Sequence, residues 1–515
     1  MVWLTAAVAF FGGGVILVVE LSAVRLLAPW FGASSQVWTH VIGVILLALA
    51  VGYALGSRLA ANARPQRVCG VALCLGAGWV AWLPSLTAPV CEWLMPPGLS
   101  LERAASVLGW ASLGASCLLF APGALLLSTL SPLLTESLQR AQGGSAGQAG
   151  GRVLAAGTLG SLAGSFLTSY WLIPELGLQQ SFQGCALLLA VLGAALLVVR
   201  QPGSRTALVL LVPALAGSWW SEWRRPALPA GATLLAQAES SYQSVRVIER
   251  DGWRFLQVNE GLDSFQSVWQ PMPGPFGGGY YYDAFVLVSQ WGATSDQPWR
   301  LLSLGMGAGS LLRAFEGQRE CRGDGIEIDA RVLELARTHM PWKESPGFAV
   351  HSGLDARVAL RQLPGPYDQI VVDAYANQTE IPAHLASAEF FALVWTRLAA
   401  GGFVCLNVGA FGNEDPLVEA IARTLAAACE TPVLACRLPF SRNVLLVARK
   451  QQALPVPGDT SFLPAAGHSL RRLAQALCLP GATRLFPAGG LPELTDDRSP
   501  LESLTRASLA RGAPH

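Results

Sequence analysis

Apolar and polar residues are spaced differently in the two halves of this chain. Over residues 1–221, apolar stretches of roughly 18 to 25 residues, long enough for a bilayer core of about 30 Å, recur near 3–28, 37–57, 68–90, 106–130, 153–173 and 181–199. A seventh stretch, 206–220, is shorter and contains Pro213. From 232 to about 268 the period falls to two in "SVRVIERDG" and "WRFLQVNEG", with Asp251 and Gly252 between them as a hairpin signal. The prolines and glycines of "QPMPGPFGGGYYYD" (270–283) predict a loop over a site, with three tyrosines offering stacking faces. Strand and helix patterns then alternate. Strands are expected at "WRLLSLG", "GDGIEID", "GFAVH", "YDQIVVD", "GGFVCLNV" and near 431–437 and 443–448. Helices are expected from about 309, through 340, from 355, and across 388–399 and 415–429. Such alternation predicts a doubly wound, mostly parallel sheet, with ligands at the carboxyl ends of its strands.

Composition agrees with a chain divided between two solvents. It has 515 residues, 52% of them hydrophobic and 13% charged, with mean hydropathy +0.41, and residues 1–221 contain no Lys and no Asp. We therefore expect a six- or seven-helix membrane bundle, closely packed through small residues such as Gly52 and Gly56 or Gly160 and Gly164. The first apolar stretch lacks a basic leader and a cleavage pattern, so it reads as a retained helix. With six long spans, Arg58, Arg64, Arg67, Arg140, Arg152, Arg200 and Arg205 all fall on one side, which the positive-inside rule makes cytoplasmic. Six spans return the C-terminal half to that side and seven export it. Residues 206–220 are expected to be re-entrant or interfacial. Glu20 and Arg25, five residues apart, fit snorkelling near a membrane boundary. A net charge of +1 argues against a nucleic-acid partner, and ten scattered cysteines without a CxxC suggest neither zinc nor a disulfide framework.

The candidate chemistry lies at the strand ends. In "LSLGMGAGS", Gly305, Gly307 and Gly309 sit between a strand and a helix, where they let backbone approach a ligand and leave helix amides free. The spacing is GxGxG, with Ser310 where a dinucleotide fingerprint wants glycine, and it favours a nucleoside without a pyrophosphate. Glu327 ends the next strand, placed for ribose hydroxyls. Asp355 follows the third strand, where it suits an adenine amino group or a helix N-cap. Asp373 ends the fourth, where it suits proton acceptance from an amine or the capping of a turn.

Taken together, these residues resemble the spermidine synthase family of aminopropyltransferases, in particular its membrane-fused bacterial members. The resemblance covers roughly 235–450. "ESSYQSVRVIE" is similar to the family's opening strand and makes Gln243 a nucleoside contact. "YYYDAFV" is similar to its substrate segment and places Tyr282 and Asp283, with Tyr375, at the substrate. Gly305, Gly307, Gly309, Glu327, Asp355 with Ala356, and Asp373 fall on the nucleoside and proton-acceptor positions. "EIPAHLASAEFF", "LTDDRSPLE" and "VELSAVRLLAPWFG" resemble the membrane-fused group. The resemblance implies decarboxylated S-adenosylmethionine as co-substrate, no metal, and a diamine such as putrescine as acceptor, giving spermidine and methylthioadenosine.

Two positions depart from the soluble members. Ala308 stands where they carry an acid in the glycine loop, and Ala374, Tyr375 and Ala376 follow Asp373 where they carry a second Asp. Asp283, Glu380, Asp496 or Asp497 would have to compensate. The expected architecture is a multi-pass bundle (1–221), a small antiparallel β unit with its loop (232–283), a Rossmann-like domain of the S-adenosylmethionine-dependent methyltransferase type (284–450), and a tail near the site (451–515). The expected setting is the inner membrane with a cytoplasmic catalytic domain, lipid and a small polyamine as partners, and a homodimer left open. A methyl or other S-adenosylmethionine-dependent transferase, and a polyamine transporter or sensor, remain alternatives.

Overall fold

A computed structural model describes residues 2–31, 35–62, 64–95, 101–143, 145–200, 205–221, 228–240, 242–258, 265–277, 280–292, 297–343, 346–375, 380–439, 441–454, 464 and 469–511. Gly278 and Gly279 of the tyrosine loop, Ala376, and nearly all of the tail from 455 to 468 lie outside the described residues.

The apolar stretches are helices: α1 (Val2–Phe31), α2 (Ser35–Asn62), α3 (Pro65–Leu94), α4 (Leu101–Ser128), α5 (Leu130–Gln142), α6 (Ala146–Leu167), α7 (Gly177–Arg200) and α8 (Arg205–Trp220). Among the described residues, five helical runs are long and apolar enough to cross a membrane: Trp3–Phe31, Gln36–Ala61, Pro65–Leu94, Gly109–Gln142 and Ala146–Val198. The last run is 53 residues long. A wide helical turn (Thr168–Leu176) containing Pro174 divides it, and Gly177 breaks it with φ 74° and ψ 176°. Small residues set the packing. Gly13 and Gly14 of α1 meet Gly157 and Gly160 of α6 in the same chain direction, whereas Gly70 and Cys74 of α3 meet Leu197 and Gly193 of α7 in the opposite one.

The short seventh stretch departs from expectation. α8 is a continuous helix lying along α3 in the same direction, Pro213 beside Gly78 and Gly217 beside Ala81. Its end is held where Gln179 Nε2 donates to the Ser221 carbonyl (3.1 Å) and Ser221 Oγ bonds Ser85 Oγ (3.0 Å). The apolar half therefore makes seven legs, α4 with α5 counting as one. At one end lie the arginine-bearing turns, where Arg140 donates to the Ala60 carbonyl (3.0 Å) and Arg152 to Gln142 (2.7 Å). The polar half joins the other end, through Arg25 Nη1 to the Ser240 carbonyl (2.6 Å) and Arg506 Nη1 to Gln36 Oε1 (2.9 Å). The six-span expectation put the polar half on the same side as the arginines; in the structure the two lie at opposite ends of the bundle.

β1 (Thr233–Glu239), β2 (Ser244–Arg250), β3 (Trp253–Val258) and β4 (Ser267–Trp269) form the expected antiparallel sheet in the order β1-β2-β3-β4. The main sheet is built from β5 (Trp299–Leu304), β6 (Cys321–Glu327), β7 (Phe348–Ser352), β8 (Tyr367–Val372), β9 (Leu398–Gly409), β10 (Val433–Arg437), β11 (Asn443–Arg449) and β12 (Thr483–Phe486). Its order is β12-β10-β11-β9-β8-β5-β6-β7. The run from β9 to β7 is parallel; β11 and β12 run against it. Nearly continuous burial of β5, β8 and β9 explains their apolar runs, since helices cover both faces. These helices include α9 (Tyr282–Ser289), α10 (Ser310–Phe315), α11 (Ala330–His339), α12 (Ala356–Gln362), α13 (Ala388–Arg397) and α14 (Pro416–Cys429).

Two further findings correct the sequence reading. Tyr282 and Asp283 open helix α9 and do not belong to the loop before it. The tail supplies a sheet strand, β12, and helices α15 (Arg471–Leu477) and α16 (Leu501–Arg511), the last packed on α4 and α14.

Candidate active site

A cavity of about 340 Å³ opens at the carboxyl ends of β5, β6 and β8, roofed by the small sheet and by the start of α9. Gln243, Tyr282, Gly305, Gly307, Glu327, Asp355, Ala356, Asp373 and Tyr375, nine of the residues singled out in the sequence, line it.

The glycine loop is shaped by backbone and not by side chains. Gly305 and Gly307 have φ of 86° and 52°, in the left-handed region that favours glycine. A side chain on Gly305 would run into the backbone of Asp373, and one on Gly307 would stand 2.5 Å from Ser267 Oγ. Ser267 Oγ accepts the Ala308 amide (2.9 Å), while Ser310 Oγ accepts the Val268 amide and donates to the Val268 carbonyl (2.8 Å each). The small sheet is thereby riveted to the loop. Gly309, with φ 83°, caps α10 and packs against Trp342, so it shapes the loop from outside the cavity lining.

Glu327 is buried, its Oε2 accepting the Gly307 amide (2.8 Å) and its Oε1 the Asp329 amide (3.0 Å). Burial pushes its carboxyl up to about 7, against the pull of those two amides. Each oxygen keeps a lone pair for a ligand hydroxyl. The neighbouring acid in "GIEID", Asp329, caps α11 through the Arg331 amide (3.0 Å) and receives Ser240 Oγ (2.6 Å).

Asp355 performs one of the two tasks weighed for it from sequence, the helix cap. Its Oδ1 caps α12 through the Arg357 and Val358 amides (2.9 and 3.2 Å), and Oδ2 lies 2.8 Å from His384 Nε2. Burial pushes this carboxyl up, but the His384 hydrogen bond and the helix amides outweigh it and leave it below the usual range.

Asp373 follows the last residue of β8, partly open to the cavity. Asn407 Nδ2 donates to its Oδ1 (2.8 Å), and Asn443 Nδ2 fixes the Asn407 amide by donating to its Oδ1 (2.8 Å). Burial pushes the Asp373 carboxyl up to about 7, against the pull of Asn407 and the Tyr281 hydroxyl. Tyr281 Oη donates to Tyr282 Oη (3.0 Å), which donates to the Gln266 carbonyl (2.8 Å). Tyr375 Oη donates to the Asn407 carbonyl and accepts the Gly409 amide (2.9 Å each). Burial first, and then the nearby Asp373 charge, pushes all three tyrosine hydroxyls up, so they stay neutral.

Asp283 is fully buried and outside the cavity lining, its Oδ1 accepting the Phe276 amide (2.7 Å). Asp496 is clamped by Arg357 (2.6 and 2.7 Å) and by Ser387 Oγ (2.7 Å), and the Arg357 pair holds its carboxyl down to about 2. Two of the four carboxylates offered as compensation for the acids missing at Ala308 and Ala376, Asp283 and Asp496, thus have structural work. The acids lining the cavity are Glu327, Asp355 and Asp373. Sequence reasoning did not single out Tyr281, Asn407, Asn443, Ser267 or His384. Asn407 carried a signal, as a polar side chain inside the apolar run "FVCLNV".

A glycine loop with three acids at successive strand ends sits where ligands of such α/β folds bind, here in a chain joined to an apolar helical bundle. No protein-family model matches the chain. A polyamine aminopropyltransferase of Mycobacterium tuberculosis is 26% identical over 450 residues, covering 77% of this chain and 81% of its own, more than the polar half alone. A probable polyamine aminopropyl transferase of Bifidobacterium longum is 29% identical over 220 residues, 42% of this chain; the chain spans 47% of that relative's length. Among solved structures, a probable spermidine synthase from Corynebacterium glutamicum aligns at 16% identity and TM-score 0.38, covering 56% of this chain and 97% of its own. Over as much as 77% of its length the chain is similar to polyamine aminopropyltransferases.

Proposed function

We propose that this protein transfers the aminopropyl group of decarboxylated S-adenosylmethionine to a diamine such as putrescine, giving spermidine and methylthioadenosine. The carrying observation is that Asp373 shares one cavity with Glu327, Asp355 and the glycine loop. Glu327 would hold the ribose hydroxyls, Asp355, Ala356 and Gln243 the rest of the nucleoside, and Tyr282 and Tyr375 the walls around the aliphatic part. The acceptor nitrogen attacks the methylene carbon next to the sulfonium, the C–S bond breaks, and a neutral thioether leaves. Most of the acceleration comes from alignment, because the sulfonium is already a good leaving group. Asp373 orients the amine and takes its proton as the C–N bond forms, and its carboxyl, raised to about 7, suits that task better than an ordinary aspartate.

Among the described residues the cavity lining has no second acid beside Asp373, so a diamine's distal ammonium would meet mainly tyrosine and glutamine faces. Recognition of the acceptor is correspondingly loose. The test is incubation of the full chain with mass-tagged decarboxylated or ordinary S-adenosylmethionine and a panel of amines, followed by identification of the nucleoside product. Methylthioadenosine supports the reading; S-adenosylhomocysteine replaces it with methyl transfer; binding without turnover replaces it with a sensor.

A further inference from the structure

A second cavity lies in the apolar bundle, far from the chemistry above. It measures about 170 Å³ and is enclosed by α1, α2, α4, α5 and α6. That is well beyond the roughly 10–15 Å³ that one water requires. Glu20 projects into it and is its one charged lining residue. The obvious partner would be Arg25, but its backbone lies about 7.5 Å further along α1, at a rise of about 1.5 Å per residue. There it donates to the Ser240 carbonyl (2.6 Å) beside Glu239 and Asp329. Among the described residues, no ion pair or hydrogen bond reaches the Glu20 side chain. A carboxylate inside a span without a counter-charge calls for a cationic partner or a proton.

The rest of the lining selects the kind of cation. Hydroxyls of Ser128 and Ser161 face the cavity with their hydrogens already committed, Ser128 Oγ donating to Leu125 O (2.9 Å) and Ser161 Oγ to Gly13 O (3.2 Å). They present lone pairs, as does Glu20, while the hydroxyls of Tyr53, Ser131 and Thr158 in the same lining can accept as well as donate. Most of the remaining wall is aliphatic, including Ile16, Leu49 and Leu130. No group of three or more His, Cys, Asp or Glu residues able to hold a metal occurs among the described residues. An ammonium group on a methylene chain satisfies both halves of this lining: its N–H donors meet the acceptors and its chain meets the aliphatic wall. Tyr53 and Leu154 line the cavity and are also exposed on the bundle surface, which gives such a ligand a lateral way in.

We propose that the bundle carries an alkylammonium-binding site centred on Glu20. Such a group is found on free polyamines and on the ethanolamine headgroup of lipids, and the test separates the two. The full chain is placed in nanodiscs of phosphatidylcholine alone, and Glu20 modification by dicyclohexylcarbodiimide is followed by mass spectrometry. Spermidine, added at constant ionic strength, is expected to lower labelling about tenfold or more, as loss or gain of one charge-assisted hydrogen bond would. Protection by phosphatidylethanolamine discs without added amine would assign the headgroup instead. Equal labelling under every condition, or dependence on pH alone, overturns the proposal. If no disc labels Glu20, uptake of radiolabelled spermidine and of phosphatidylethanolamine is compared between wild type and Glu20→Gln; equal uptake of both overturns it. Neither readout requires turnover, so the outcome is independent of the catalytic reading.

Discussion

Asp373 joins two properties that pull against each other, a buried carboxylate and the need to receive a proton near neutral pH. Its carboxyl, pushed up to about 7, should give a kcat/KM that rises with pH through about 7. Asp373→Asn is expected to remove that limb and to lower kcat/KM by about 10² or more, and a wild-type rate in this variant would sink the role. Asn407 pulls the other way on the same carboxyl, so Asn407→Ala should move the limb upward by about one to two units while activity persists above it. A lost activity with an unmoved limb would mean Asn407 acts only on the fold. Stability carries the same signature. Glu327 is raised to about 7 in the folded state, above the roughly 4.3 of an unfolded glutamate, so its contribution is fully present below pH about 4 and is lost as pH rises through about 7. Thermal melts of Glu327→Gln between those limits should show a shallower decline than wild type.

At the scale of elements, the glycine loop is where backbone conformation, sheet contact and ligand approach meet. Gly307→Ala places a methyl on a φ of 52° and 2.5 Å from Ser267 Oγ, a cost of about 1–3 kcal/mol. The expected result is a lower melting temperature together with weaker binding of the nucleoside product, read by calorimetry. Unchanged nucleoside affinity would show that the loop does not approach the ligand. Most elements of the polar half were legible from period and punctuation: β2 and β3 from alternation around Asp251 and Gly252, β5 to β9 from apolar runs ending in Gly or acid. The start of α9 was hidden by the Gly- and Tyr-rich stretch before it. β12 was hidden because "TRLF" is too short to show a period and pairs with a strand about fifty residues earlier.

At the scale of the whole molecule, seven legs put the catalytic half and the arginine-bearing turns at opposite ends of the bundle. If the bundle crosses a membrane with its arginine end in the cytoplasm, as the positive-inside rule expects, the catalytic half lies on the other face. In intact cells, an impermeant maleimide should then label Leu491→Cys, a position 89% exposed on the catalytic half, and should reach Gln148→Cys only after permeabilisation. The reverse pattern would show that the arginine turns have been translocated against the rule, and would keep the catalytic half beside the cytoplasmic supply of donor.

By itself the sequence determined what depends on local composition and order: an apolar half and a polar one, the alternation that makes a wound sheet, and the glycines and acids at strand ends. Tertiary structure decided what depends on residues far apart in the chain. Asn407 and Asn443 meet Asp373 only because β8, β9 and β11 are neighbours, and Asp283 and Asp496 are committed elsewhere because Phe276 and Arg357 reach them first. The direction of α8 belongs to the same class. A 16-residue helix with a central proline reads equally as an interfacial or a crossing segment, and only its contacts along α3 set the direction in which it runs.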